Sequence, residues 1–234
     1  PQSDAIDVVA KFDAKADGNT DLSKASSIAL NVGTIQAPAN PSAFKDPNWV
    51  RFYSIENFKM FGGGIFDGQG SIAYEENKDP HNRKFRSKLA VNIRFDFVTN
   101  TLIQDITSKD SKLFHVNVFA CKNITLERFK VEAPADSPNT DGIHCGKSDG
   151  VNIIGCDIKT GHGISIGSLG KLPNEEPVGG IKVSNCTITN TPNRARIKTW
   201  PGESPGIVLD TYFEDIIMNN VSSASLIDQK YCPW

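Results

Sequence analysis

The chain has 234 residues, 38% of them hydrophobic and 22% charged, which are the proportions of a folded globular protein and not of a disordered one. Its formal net charge of −2 gives nucleic acid no global attraction, so an anionic partner must meet a local cationic patch. No apolar run approaches the ~20 residues that span a bilayer, and no membrane association is expected.

The N-terminal PQSDAIDVV lacks the basic and apolar regions of a secretory leader. That leaves either a cytosolic chain or a secreted one whose leader has been removed. Further along, strand-type residues dominate and a nine-residue frame recurs. It runs FKMFGGGIF from Phe58, TLIQDITSK from Thr101, ITLERFKVE from Ile124, VNIIGCDIK from Val151, IKVSNCTIT from Ile181 and TYFEDIIMN from Thr211. Frame positions 1, 3, 6 and 8 are mostly apolar or small, so each copy holds two period-two stretches with a bend between them.

The starts lie 43, 23, 27, 30 and 30 residues apart, and the first gap is wide enough for two units. A further short strand follows most frames, as in FHVNVF, GIHCG, GISIG, ARIKTW and SLIDQ. Units of ~20–30 residues made only of strands and turns predict a parallel β-helix, whose stacked coils bury one continuous core. A β-sandwich also carries short strands and frequent turns, but it does not require the phase to survive six copies. The expected architecture is therefore all-β, a single-stranded parallel β-helix forming one domain over residues 1–234.

The five cysteines, Cys121, Cys145, Cys156, Cys186 and Cys232, form no CxxC or His/Cys ligand pattern, so no zinc site is expected. The frame gives Cys156 and Cys186 one inward position in adjacent coils, as stacked core residues. Sequons at Asn123, Asn185 and Asn220 leave glycosylation and compartment open.

Stacking turns equivalent positions into ladders, so a site can be read by aligning coils. NTDGIHCG (139–146), GHGISIG (161–167) and NRARIKTW (193–200) coincide. Alternation around Ala195 and Ile197 puts Arg194, Arg196 and Lys198 on the outer face. Asp141 and His162 each precede a Gly-Ile pair, and strict alternation would send both inward. An unpaired charge there is costly, so the entering turn is expected to rotate both outward. A carboxylate, an imidazole, a guanidinium and an ammonium would then share one face, suited to an anionic ligand. The alternative is a solvated strand face with Asp141 capping a turn.

SPNTDGIH, GHGISIGSLG and RIKTWPG resemble three of the four signature motifs of the polygalacturonases, pectin hydrolases built on a right-handed parallel β-helix. FDGQG, VTNTLIQDITSKDSKLFHVNV, FEDIIMNNV and DQKYCPW resemble plant members, most closely pollen exopolygalacturonases, some of which are allergens. The resemblance implies an inverting hydrolase of α-1,4-linked galacturonic acid, secreted to the plant cell wall, monomeric and without metal or cofactor. Its partners would be polygalacturonate and pectin oligosaccharides. By matching motifs, Asp141 is the carboxylate that helps activate water, and His162 supports the protonation state of the acids. Arg196 and Lys198 grip substrate carboxylates, and Asn139 is the asparagine of the first motif.

Two departures stand out. The family's Gly-Asp-Asp motif, which supplies the general acid, is absent, because IKTG runs directly into HGISIG at Gly161–His162. About one coil is missing there. A second junction at DLSKASSIALNVG shortens the N-terminal capping segment, residues 1–25. Arg194 and Ala195 also replace the residues that usually precede the RIK motif. Inverting hydrolysis needs an acid and a base ~6.5–9.5 Å apart, and Asp141 fills only one role. Two functions are therefore expected from this sequence: a polygalacturonase, or a non-catalytic β-helix that binds oligogalacturonate or serves as a structural, allergen-like protein. A calcium-dependent pectate lyase is a weaker third.

Overall fold

The computed structural model describes residues 27–29, 33–77, 88–171, 173–191, 193–201 and 204–230. The 1–25 capping segment, Cys232 and the side chain of Arg194 lie outside that description.

Seven coils of three short strands follow one another. The first holds β1 (Ser27–Ala29), β2 (Thr34–Gln36) and β3 (Asn48–Tyr53), and the second β4 (Lys59–Phe61), β5 (Ile65–Asp67) and β6 (Val91–Asp96). Coils three and four hold β7 (Thr99–Gln104), β8 (Thr107–Lys109), β9 (Val116–Phe119), β10 (Lys122–Glu127), β11 (Lys130–Glu132) and β12 (Asp141–Gly146). Coils five and six hold β13 (Asp149–Ile154), β14 (Asp157–Lys159), β15 (His162–Leu169), β16 (Gly179–Ser184), β17 (Thr187–Thr189) and β18 (Asn193–Thr199). The last holds β19 (Thr211–Glu214), β20 (Ile217–Asn219) and β21 (Ser223–Asp228). Like strands pair in parallel to give three seven-stranded sheets, ordered β1-β4-β7-β10-β13-β16-β19, β2-β5-β8-β11-β14-β17-β20 and β3-β6-β9-β12-β15-β18-β21. This is the parallel β-helix that the recurring frame predicts.

The frame starts stand in one ladder. Thr101 pairs with Ile124, Ile124 with Val151, Val151 with Ile181, and Ile181 with Thr211. The bend inside each frame has one cause. Its fifth residue adopts positive φ: Asp105 at 56°, Arg128 at 47°, Gly155 at 62°, Asn185 at 55° and Asp215 at 52°. A single left-handed residue turns the chain from the first sheet into the second, and the turn lets positions 3 and 6 both face inward.

Inward side chains stack as columns of like residues. Ile124, Val151 and Ile181 are buried, as are Leu126, Ile153 and Val183, and Val131, Ile158 and Ile188. Burying each such side chain contributes roughly 1.5–3 kcal/mol, and β-branched residues suit strands covered on their inner face. Cys156 and Cys186 occupy one column as free, buried thiols, with the Cys156 amide donating to Cys186 Sγ at 3.4 Å.

Two details differ from the sequence reading. The 43-residue first gap holds a single coil, since Lys59 pairs directly with Leu102. The extra length is an insertion between β5 and β6 that includes helix α1 (Ser71–Glu76). In the first frame, Phe66 and not Ile65 pairs with Ser108. An additional glycine in Gly62–Gly64 shifts the phase, with Gly62 and Gly63 at φ 117° and 80°.

Candidate active site

The third sheet orders the motif residues. Asp141 of β12 pairs with His162 of β15, and His162 with Asn193 of β18. Three positions on, His144, Ser165 and Arg196 form the next outward column, which continues through Asn117 to Arg94 and Arg51. The junction between the first two motifs is pinned locally. Thr160 donates to the Thr140 carbonyl at 2.8 Å, the Gly161 amide to Thr140 Oγ1 at 3.1 Å, and the His162 amide to the Thr140 carbonyl at 3.2 Å. A Cβ on Gly161 would lie 2.1 Å from the Ser137 carbonyl oxygen, so only glycine lets these turns approach.

Asp141 leaves the inward phase of Ile143 because Gly142 takes an inward place of its own. A Cβ there would meet Ile158 Cγ2 at 2.7 Å. Asp141 therefore reaches the outer face, yet it is not open to solvent, being only 1% exposed. Arg196 Nη2 donates to both of its oxygens at 3.1 and 3.2 Å, and Lys198 Nζ lies 3.6 Å away. His162 Nδ1 stands 3.5 Å from Asp141 Oδ1, too far for a hydrogen bond to do more than orient it. Arg196 is fixed in turn by Ser165 Oγ, which accepts from Nε at 3.2 Å and from Nη2 at 3.1 Å. His144 stacks on Phe114 with ring centroids 4.7 Å apart and meets Asn117 Oδ1 through Nδ1 at 3.3 Å.

Electrostatics follow from this packing. Burial opposes ionisation of Asp141, but Lys198 and Arg196 outweigh it and hold the carboxyl well below the usual carboxylate range. Burial lowers Lys198, with Asp141 pulling the other way. It also lowers His162, again against Asp141. Burial and Lys198 bring His144 down to about 3. The cluster at neutral pH is thus one carboxylate, two cations and two neutral imidazoles, a net positive pocket.

Of the five residues singled out from the sequence, four converge: Asp141, His162, Arg196 and Lys198. Asn139 stands two residues before β12, half-buried, with φ 57°. His144, Ser165 and Asn117 escaped the sequence reading, although the same alignment of Ile143, Ile164 and Ala195 puts them in the column beside Arg196. Two other acids of this sheet, Asp96 and Asp228, stand at another register position. Asp96 pairs with Phe119, and Asp228 pairs with Lys198. Among the described residues, no group of three His, Cys, Asp or Glu is placed to hold a metal ion.

One outer face of this parallel β-helix thus gathers a carboxylate, imidazoles and paired cations. The chain belongs to glycosyl hydrolases family 28, which matches residues 5–161 and again 151–234. A polygalacturonase of Gossypium hirsutum is 64% identical over 293 residues, covering 100% of this chain and 72% of its own length. An exopolygalacturonase of Oenothera organensis is 48% identical over 233 residues, covering 89% of this chain and 64% of its own. Since this chain has 234 residues, the 293-residue match means that the Gossypium protein carries internal residues without a counterpart here. The first family match ends at Gly161 and the second begins at Val151, so the two overlap just before the Gly161–His162 junction. Among solved structures, polygalacturonase from Erwinia carotovora ssp. carotovora superposes with TM-score 0.65 at 20% identity, over 88% of this chain and 68% of that one. A hyperthermoactive exopolygalacturonase from Thermotoga maritima superposes with TM-score 0.66 at 16% identity, over 99% of this chain and 76% of that one. Both share the fold.

Proposed function

We propose that the chain binds α-1,4-linked galacturonate of the plant cell wall at the Asp141–His162–Arg196–Lys198 cluster, and that hydrolysis by this chain is strongly impaired. The observation that carries the reading is the double contact of Arg196 Nη2 with both Asp141 oxygens. Arg196 and Lys198 bring two positive charges to one carboxylate, and the Nη1 donors of Arg196 stand outside these contacts. A sugar carboxylate fits that remaining charge and geometry.

Cleavage with inversion needs a protonated acid at the leaving oxygen and a separate carboxylate to activate water. Held ionised by its cations, Asp141 has no proton to give. As a base it is weak, and the Asp-Asp pair that would supply its partner is absent from the sequence. General acid–base groups each contribute typically ~10²–10⁴-fold, so a site with one such carboxylate loses most of its rate. His162, inside the cluster, is assigned to orient the ligand, and the motif match alone assigns Asn139 to substrate. The plant relatives and the exposed sequons Asn123, Asn185 and Asn220 support a secreted protein. The name of the Oenothera relative favours attack from a chain end in intact members.

Calorimetric titration with trigalacturonate tests the binding. Saturable binding is expected in the unaltered chain, with its loss in the Arg196→Ala/Lys198→Ala double variant. Equal affinity in that variant overturns the assignment.

A further inference from the structure

On the coils leading up to Asp141, from β3 to the end of β12, the third sheet carries a second concentration of charge and aromatic surface that the cluster above does not use. Tyr53 and Phe119 flank Asp96 in one outward column, and Phe97 stands at the corner beside them. Its ring meets Tyr53 edge-on at 5.7 Å and Phe119 at 6.3 Å. Three cations lie over these rings: Arg51 over Tyr53 at 4.8 Å, and Arg94 and Lys147 over Phe119 at 5.6 Å each. Asp96 answers two of them, accepting from Arg51 Nε at 2.6 Å and from Arg94 Nε at 2.7 and 2.8 Å. Three cations against one carboxylate leave the patch positive.

Its aromatic rings are not core residues. Tyr53 is 54% and Phe97 49% exposed. Phe97 also holds φ 55°, at a corner where neighbouring coils place Ser54, Ala120 and Lys147 with the same sign. A bulky ring is poorly suited to that conformation and gains little burial by occupying it. Backbone strain under an exposed side chain points to a role outside folding.

We propose that Tyr53, Phe97 and Phe119, with Arg51, Arg94 and Lys147, form a binding platform for the extended part of an acidic polysaccharide. Aromatic faces and edges pack on sugar rings, while guanidinium and ammonium groups meet the uronate carboxylates. The occupant follows from charge complementarity and from continuity with the candidate active site. Arg51, Arg94, Asn117, His144, Ser165 and Arg196 form one outward column. It crosses five strand spacings, ~24 Å at ~4.8 Å each, so several sugar rings in line would reach from the cluster to the platform. The extension rests on reading that cluster as a uronate site.

Oligogalacturonates of graded length test it on the intact chain. Trigalacturonate is expected to bind equally to the unaltered chain and to Phe97→Ala and Lys147→Ala variants, because it fills the Arg196 end. A dodecamer should bind the unaltered chain more tightly than the trimer does. Phe97→Ala should lose about tenfold of the dodecamer affinity, the scale of a lost aromatic contact, and Lys147→Ala should lose part of it. Dodecamer binding that equals trimer binding, or that ignores both substitutions, overturns the platform alone. No binding at any length overturns the reading of the cluster as well. Self-association of the unaltered chain that Phe97→Ala abolishes, without change in dodecamer binding, overturns the platform and marks the patch as a protein interface.

Discussion

Two buried carboxylates on the same outer face, Asp96 and Asp141, are clamped by cations in different ways. Both are almost wholly buried, at 0% and 1% exposure, and both are held by two cations. Asp96 takes Arg94 from its own strand and Arg51 from the strand before, and those side chains are 25% and 39% exposed. Any β-helix with a charged outer column makes such a neighbour pair. Asp141 instead draws Arg196 and Lys198 from two coils further on, and those are 11% and 5% exposed. An imidazole stands in the intervening coil. The reach across two coils, with a histidine between, leaves the cations of Asp141 more enclosed than those of Asp96.

The two clamps should break differently. Arg196→Ala strips a buried carboxylate of its main partner, a loss of about 3–5 kcal/mol for a buried pair. Arg51→Ala removes a half-solvated partner and leaves Arg94 in place, a loss within ~1 kcal/mol. Urea unfolding of both variants checks this ratio. Equal losses would remove the distinction between the two regions.

Acid sharpens the contrast, because histidine lines only the Asp141 clamp. Burial and Lys198 bring His144 to about 3, and burial brings His115, near the start of β9, to about 3 as well. Their folded values lie below the unfolded ~6.5, so the unfolded chain binds more protons. The stability they contribute is complete above ~6.5 and is lost as pH falls towards 3, by about 1.4 kcal/mol per pH unit for each group well inside that window. Asp141 adds to this slope only as pH nears the unfolded carboxylate value of ~3.9, where the unfolded chain takes up a proton that the folded chain does not. His144→Gln should reduce the slope measured by denaturation at pH 6, 5 and 4, leaving the share of His115 and His162. An unchanged slope would show that His144 is protonated in the folded chain.

Much of this was legible in the sequence. Period-two runs record which side chains face inward, and six frame copies suffice to fix the ladder from Phe58 to Thr211. The same pattern is silent at corners, where one left-handed residue resets the phase. That is why the extra glycine before Phe66 and the single coil between Phe58 and Thr101 were not readable. It is also why the outward turn of Asp141 depended on Gly142 filling an inward place. β3 and β6, with NWVRFY and VNIRFD, went unread because β3 precedes the first frame and the insertion with α1 separates β6 from it, and the Asp96 clamp went with them. The depth of Asp141 under Arg196 was likewise hidden, since burial of a polar face depends on side chains two coils away.

Reducing ends released from polygalacturonate by the unaltered chain, set beside an Asp141→Asn variant, test the central claim most directly. The account predicts release at the level of the buffer blank for both proteins, with trigalacturonate still bound by the unaltered chain. Release well above the blank that vanishes in Asp141→Asn would contradict it.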